Sequence, residues 1–112
     1  MTKVKRDNVY LYSRYRGRFD VFQGDVRPSN YTRDRYSQFV FMRNGKESHL
    51  QCSNNPGVIH HSVLWLPIRD DKLARKLFIE HEEDAIQALK DNIEQRKLNI
   101  KQIKETEIKY AK

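Results

Sequence analysis

His49-x-x-Cys52, followed by His60-His61, is the densest group of metal-capable side chains in this 112-residue chain. The seven residues between Cys52 and His60, SNNPGVI, form a loop able to fold back on itself. Three or four nitrogen and sulfur ligands around a tetrahedral ion suit zinc, and a closed set would staple a small domain. His49, Cys52, His60 and His61 are therefore candidate ligands of a structural zinc, and His81 could add a ligand from a neighbouring helical turn. The set requires the strand that carries His49 to end before Cys52. Otherwise the two residues point to opposite faces. The competing reading is a buried Cys52 with histidines scattered over the surface.

Other chemistry has weaker support. Cys52 and His60 could act as nucleophile and base, but no third residue is evident to orient the base. Asp70-Asp71 and Glu82-Glu83-Asp84 are explained by capping and solvation of a helix, and no glycine-rich phosphate loop is present. The expectation is a protein that is not an enzyme. A second pattern concerns binding. Tyr10, Tyr12, Arg14, Tyr15, Arg16 and Arg18, then Arg27, Tyr31, Arg33, Arg35 and Tyr36, interleave aromatic rings with guanidinium groups. That mixture stacks bases and neutralises phosphates. It is also enriched at protein–protein hot spots, and alternating tyrosines can simply cover the second face of a sheet. All three readings stay open. The candidate partner contacts are Tyr10, Tyr12, Arg14, Arg16, Arg33, Arg35 and Tyr36.

The elements that must position these groups follow from periodicity and turn chemistry. Val9 to Arg16 alternates as a strand, with Val9, Leu11 and Ser13 on one side and Tyr10, Tyr12 and Arg14 on the other. Gly17 punctuates it, and Arg18 to Gln23 reads as a second strand. Gly24-Asp25 is turn-like, and Val26 to Asn30 reads as a loop because Pro28 lacks a donor. Gln38 to Arg43 and Lys46 to Cys52 flank Asn44-Gly45, whose residues suit a type I′ turn. A two-residue hairpin sets Arg43 opposite Lys46, Phe41 opposite Ser48 and Phe39 opposite Leu50. Phe39, Phe41, Leu50 and Cys52 then share a core face, while Val40, Met42, His49 and Gln51 share the other. Val58 to Leu66 holds the last strand, centred on Val63 to Leu66 and ended by Pro67. The predicted fold is α+β: a small antiparallel sheet of four to five strands packed by one long C-terminal helix.

That helix is predicted from Asp70 to about Tyr110, a stretch without Gly or Pro and rich in strong helix formers. Asp70 or Asp71 can cap its start. Ile79, Ile86, Ile93 and Ile100 recur every seven residues, with Leu89, Ile103 and Tyr110 in the complementary row. This is the spacing of a coiled-coil seam, interrupted by Glu82, Arg96 and Glu107. Residues 73–89 are expected to pack on the chain's own sheet. Beyond Leu89 a partner helix is expected, either a second copy in a homodimer or a hairpin folded back near Asn92 or Asn99. The chain thus divides into a basic β region, 1–69, and a helical region, 70–112, within one domain.

The net charge of +7 is confined to the first region. Residues 1–69 hold twelve Lys or Arg against five Asp or Glu, whereas residues 70–112 hold ten of each. Such asymmetry suggests a polyanionic partner, either nucleic acid or an acidic protein surface. The single cysteine cannot form an internal disulfide, which fits a reducing cytoplasm. Met1 to Asn8 is polar with no apolar run after it, so no signal peptide is expected, and no stretch approaches a membrane span.

Residues 63–105 contain LWLPIRDDKLARKLFIEHEEDAIQALKDNIEQRKLNIKQIKE. The stretch resembles the C-terminal part of small accessory proteins carried by phages and prophages of Gram-positive bacteria. The resemblance rests on the strand ending in LP, the acidic cap RDD and the IEHEED-type amphipathic helix. Type II-A anti-CRISPR proteins belong to that group, and at least one of them is a zinc protein. The resemblance implies a phage-type defence inhibitor acting in the host cytoplasm, which binds a bacterial host protein, in particular an RNA-guided CRISPR effector nuclease. It also implies a structural metal role for the His/Cys cluster. The alternatives are a small basic nucleic-acid-binding protein and a helix-mediated homodimeric interaction protein.

Overall fold

The computed structural model describes residues 5–28 and 36–111. Five strands form one antiparallel sheet: β1 (Arg6–Tyr15), β2 (Arg18–Pro28), β3 (Tyr36–Arg43), β4 (Lys46–Ser53) and β5 (Val63–Leu66). A single helix, α1 (Asp71–Glu105), follows them. The first four strands form a meander and β5 returns to pair with β1, giving the order β4-β3-β2-β1-β5. This is the expected α+β arrangement. No helix among the described residues is long and apolar enough to cross a membrane.

The sheet curls until its two outer strands touch. The indole Nε1 of Trp65 on β5 donates to the Ser53 carbonyl at the end of β4, 2.7 Å away, and fixes the closure. The curled interior is the main core. Val9 and Leu11 from β1, Val26 from β2, Phe39 and Phe41 from β3, Cys52 from β4, and Val63 and Trp65 from β5 meet there. Ser37, also buried, donates its hydroxyl to Asn54 Oδ1, so the polar group is satisfied.

β2 runs without a break through the stretch expected to turn. Its first part pairs with β1 and its last part, Asp25 to Pro28, pairs with β3. Gly24 sits at the crossover. A Cβ there would run into the Val40 carbonyl oxygen and come within 2.8 Å of the Phe39 ring. Glycine is therefore needed for the close approach of β3, not for a turn. Pro28 is tolerated because it is the last residue of the strand. The β1 ladder slips between Arg6 and Val9, where Asn8 takes a φ of 54° and its N–H donates to Asp25 Oδ1 at 2.9 Å. The β3–β4 hairpin has the expected register, with Arg43 opposite Lys46 and Phe39 opposite Leu50.

On the outer face of β1, β2 and β5, a second cluster gathers Tyr12, Leu64, Leu66, Ala74 and Phe78, with Tyr10, Val21 and Leu77 at its edge. The stripe of α1 that packs on the sheet is thus Ala74-Leu77-Phe78. It ends there, short of the expected Leu89. Asp70 caps the helix, its Oδ1 accepting from the Leu73 N–H at 2.9 Å. The chain forms two units, one up to Phe78 and one from Ile79 onward. In the second, α1 is continuous to Glu105, so no hairpin forms at Asn92 or Asn99. Glu107 and Tyr110 lie beyond the helix.

Candidate functional site

The four proposed zinc ligands are not drawn together. β4 stays paired through Ser53, so His49 and Cys52 face opposite sides of the sheet. Cys52 is inside the core, where burial pushes its thiol up to about 12. A neutral, enclosed thiol is neither a ready metal ligand nor a nucleophile. His49 is outside, its Nε2 2.8 Å from Glu47 Oε1 and its Nδ1 3.3 Å from Gln38 Oε1. His60 and His61 do adjoin, with ring centroids 4.2 Å apart. However, His60 Nε2 already meets Gln51 Oε1 at 2.8 Å, and its ring stacks on Tyr36 at 4.2 Å. Burial, then the neighbouring His61, lowers the His60 pKa, which favours the neutral ring. Among the described residues no group of three or more His, Cys, Asp or Glu could hold an ion. The donor set does not fit a tetrahedral zinc, and His81 is exposed on α1.

The Tyr/Arg set divides in two. Tyr12 is buried and belongs to the fold: its hydroxyl donates to Asp71 Oδ1 at 2.6 Å and accepts from the Asp70 N–H at 2.9 Å. It pins the start of α1 to β1 and is not available to a partner. Tyr10 is half-buried in the same cluster. The expectation that Tyr12 is a partner contact is corrected: alternation along β1 turns Tyr10 and Tyr12 toward the packed helix, and Tyr12 is buried there. Tyr36 is half-buried against His60. Arg33 and Arg35 lie outside the described residues. Arg14 and Arg16 are exposed.

These two arginines belong to a feature built by the topology. The meander brings the β1–β2 turn (Arg16-Gly17), the β3–β4 turn (Asn44-Gly45) and the turn into β5 (His61-Ser62) to one end of the curled sheet. All six turn residues have positive φ, from 46° to 77°. His61 and Ser62 hold that conformation without glycine's freedom, a strained arrangement. A groove of about 610 Å³ opens at this end.

Its composition follows from the inward rows of the strands. Descending β2 inside, the order is Arg18, Asp20, Phe22; descending β3, it is Arg43, Phe41, Phe39. The interior therefore grades from aromatic at depth to guanidinium at the rim. Ser13, Asp20 and Ser48 stand at the level where larger side chains would plug the curled sheet, so the groove stays open over Phe22, Phe41 and Val63. Arg14, Arg18 and Arg43 line the rim, and Asp20 is the carboxylate among the lining residues. Arg18 meets Asp20 at 3.3 Å, an exposed ion pair that leaves the rim cationic. Beside the groove, the Arg16 guanidinium lies 5.2 Å from the ring centre of Tyr15, which is itself exposed.

Arg43, Phe22 and Phe41 were not among the expected contacts: Arg43 and Phe22 read only as strand residues, and Phe41 as part of the core face. The usable signal was register: Arg43 shares the inward row of Phe39 and Phe41, so the core row itself ends in a charge. No family model, curated protein or solved structure matches this chain.

Proposed function

We propose that this chain is a non-catalytic binding protein whose cationic barrel mouth seats an acidic, partly apolar segment of a bacterial host protein. The observation that carries the reading is the groove rimmed by Arg14, Arg18 and Arg43 over Phe22, Phe41 and Val63. Guanidinium groups pair with carboxylates in forked geometry, and a desolvated aromatic floor adds apolar area beneath them. Taken with the resemblance of residues 63–105 to phage accessory proteins, the target in this reading is a type II-A RNA-guided nuclease in the host cytoplasm. The protein would inhibit it by occupying its surface.

The test is DNA cleavage by guide-loaded nuclease titrated with the full chain. Inhibition at near-stoichiometric protein is expected, with loss of inhibition in an Arg14→Ala/Arg18→Ala/Arg43→Ala variant that keeps its circular dichroism. Full cleavage together with no binding to the nuclease would overturn the target. The exposed Tyr15–Arg16 pair supports a second reading, direct nucleic-acid binding. Titration with DNA and RNA at two salt concentrations separates the two, since tight and steeply salt-dependent binding would favour the second.

A further inference from the structure

From Ile79 onward every residue of α1 is exposed, yet its large apolar positions, Leu98 apart, fall in two rows. Ile79, Ile86, Ile93 and Ile100 fill one row and Leu89 and Ile103 the other, each between 51% and 75% exposed. A spacing of seven kept across four isoleucines departs from the 3.6 residues per turn of a straight helix and matches a supercoiled partner helix. In proteins most of a helix's stability comes from packing of its amphipathic face rather than from propensity, so an apolar stripe of this length calls for a cover.

Charge identifies the occupant and its direction. Residues 79–91 carry five acidic side chains and one Lys, and residues 92–104 carry four basic side chains and one Glu. A second copy running the opposite way sets each acidic half against a basic half. The polar positions in the seam obey the same logic. In a parallel pair Glu82 would face its own copy, and so would Arg96, placing like charges in the seam. In an antiparallel pair centred on Asp91, Ile79 faces Ile103 and Leu89 faces Ile93 of the other copy. Glu82 then comes within one helical turn, about 6 Å along the axis, of the opposite Arg96. In this register Glu82 faces Ile100 and Arg96 faces Ile86 of the other copy, so the two opposite charges stand in adjacent layers of the seam, within side-chain reach of each other.

We infer that residues 79–103 of α1 form an antiparallel coiled coil with a second copy of this chain, aligned by its acidic and basic halves and by crossed Glu82–Arg96 pairs. Sedimentation equilibrium of the full chain should give twice the 13.5 kDa chain mass. Either Glu82→Arg or Arg96→Glu should weaken self-association by about tenfold, and the double exchange should restore it. All three variants lie on exposed helix and leave the sheet unit intact. Nitroxide labels fix the direction: at His81→Cys the two labels should stand at least about 30 Å apart, and at Asp91→Cys much closer. A monomer at hundreds of micromolar overturns the proposal. So do equal short spacings at both labelled positions, or a double exchange no tighter than the single ones.

Discussion

Tyr12 ties the sheet to the helix through one hydroxyl that both donates and accepts. Burial, then its bond to Asp71, pushes the phenol up to about 12 from its ordinary value near 10. The native state therefore holds this proton more tightly than the unfolded chain. The resulting stability is complete below pH 10 and is lost as pH rises from about 10 to about 12. Two pH units correspond to roughly 3 kcal/mol. Tyr12→Phe should destabilise the fold by about 1–2 kcal/mol at pH 8, because the Asp70 N–H loses its acceptor. It should also remove this part of the alkaline loss, which urea titrations from pH 8 to 12 would show as a flatter slope. Gly24 makes the opposite kind of demand, for absence of a side chain. Gly24→Ala should destabilise by about 2–3 kcal/mol, since the Cβ meets backbone oxygen and an aromatic ring. Thermal unfolding measures it; a change under 0.5 kcal/mol would mean that β3 can move aside. Neither role was legible in the sequence. A glycine before an aspartate reads as a turn, and an alternating tyrosine reads as surface, until the register shows what lies across the strand.

At the scale of elements, local signals carried most of the fold. Asn44-Gly45 set the β3–β4 register because a type I′ turn leaves no freedom in pairing. Pro67 and Asp70 marked the end of β5 and the start of α1. Missing were the long-range facts: that β2 continues through Gly24 and pairs with both neighbours, and that the sheet curls to bring β4 against β5. The candidate zinc ligands stay apart for the same reason, since sequence proximity of His49 and Cys52 does not show that β4 stays regular through both. Within residues 73–78, Ala74, Leu77 and Phe78 make the contact with the sheet, although the row of isoleucines is the stronger pattern in the sequence. Phe78 packs edge-on against Phe19 at 5.3 Å and is nearly buried. Phe78→Ala should therefore destabilise by about 3–4 kcal/mol in chemical denaturation. Ile93→Ala, on the exposed stripe, should leave unfolding of the sheet unit unchanged at low micromolar concentration.

Across the whole molecule, charge and structure are segregated in the same way. The +7 resides in residues 1–69, and three inward or rim-facing arginines concentrate part of it at one end of the sheet. The helical region is neutral overall, although its two halves are oppositely charged. Long-range attraction of an acidic partner should accordingly come from the barrel mouth, and screening should act there. With a Debye length of about 8 Å at 0.15 M, raising salt from 50 to 300 mM should slow association while changing dissociation little. Stopped-flow association with the guide-loaded nuclease proposed as the target would check this. The Arg14→Gln/Arg18→Gln/Arg43→Gln variant should associate about tenfold more slowly at 50 mM salt and show a flattened salt dependence. A control removing equal charge from the other region, Lys72→Gln/Lys101→Gln/Lys109→Gln, should keep the slope of the unmodified chain. If both variants lose the slope equally, net charge alone drives the encounter and the mouth has no special part in it. If only the arginine variant does, the gradient from buried phenylalanine to exposed guanidinium is what the partner meets first.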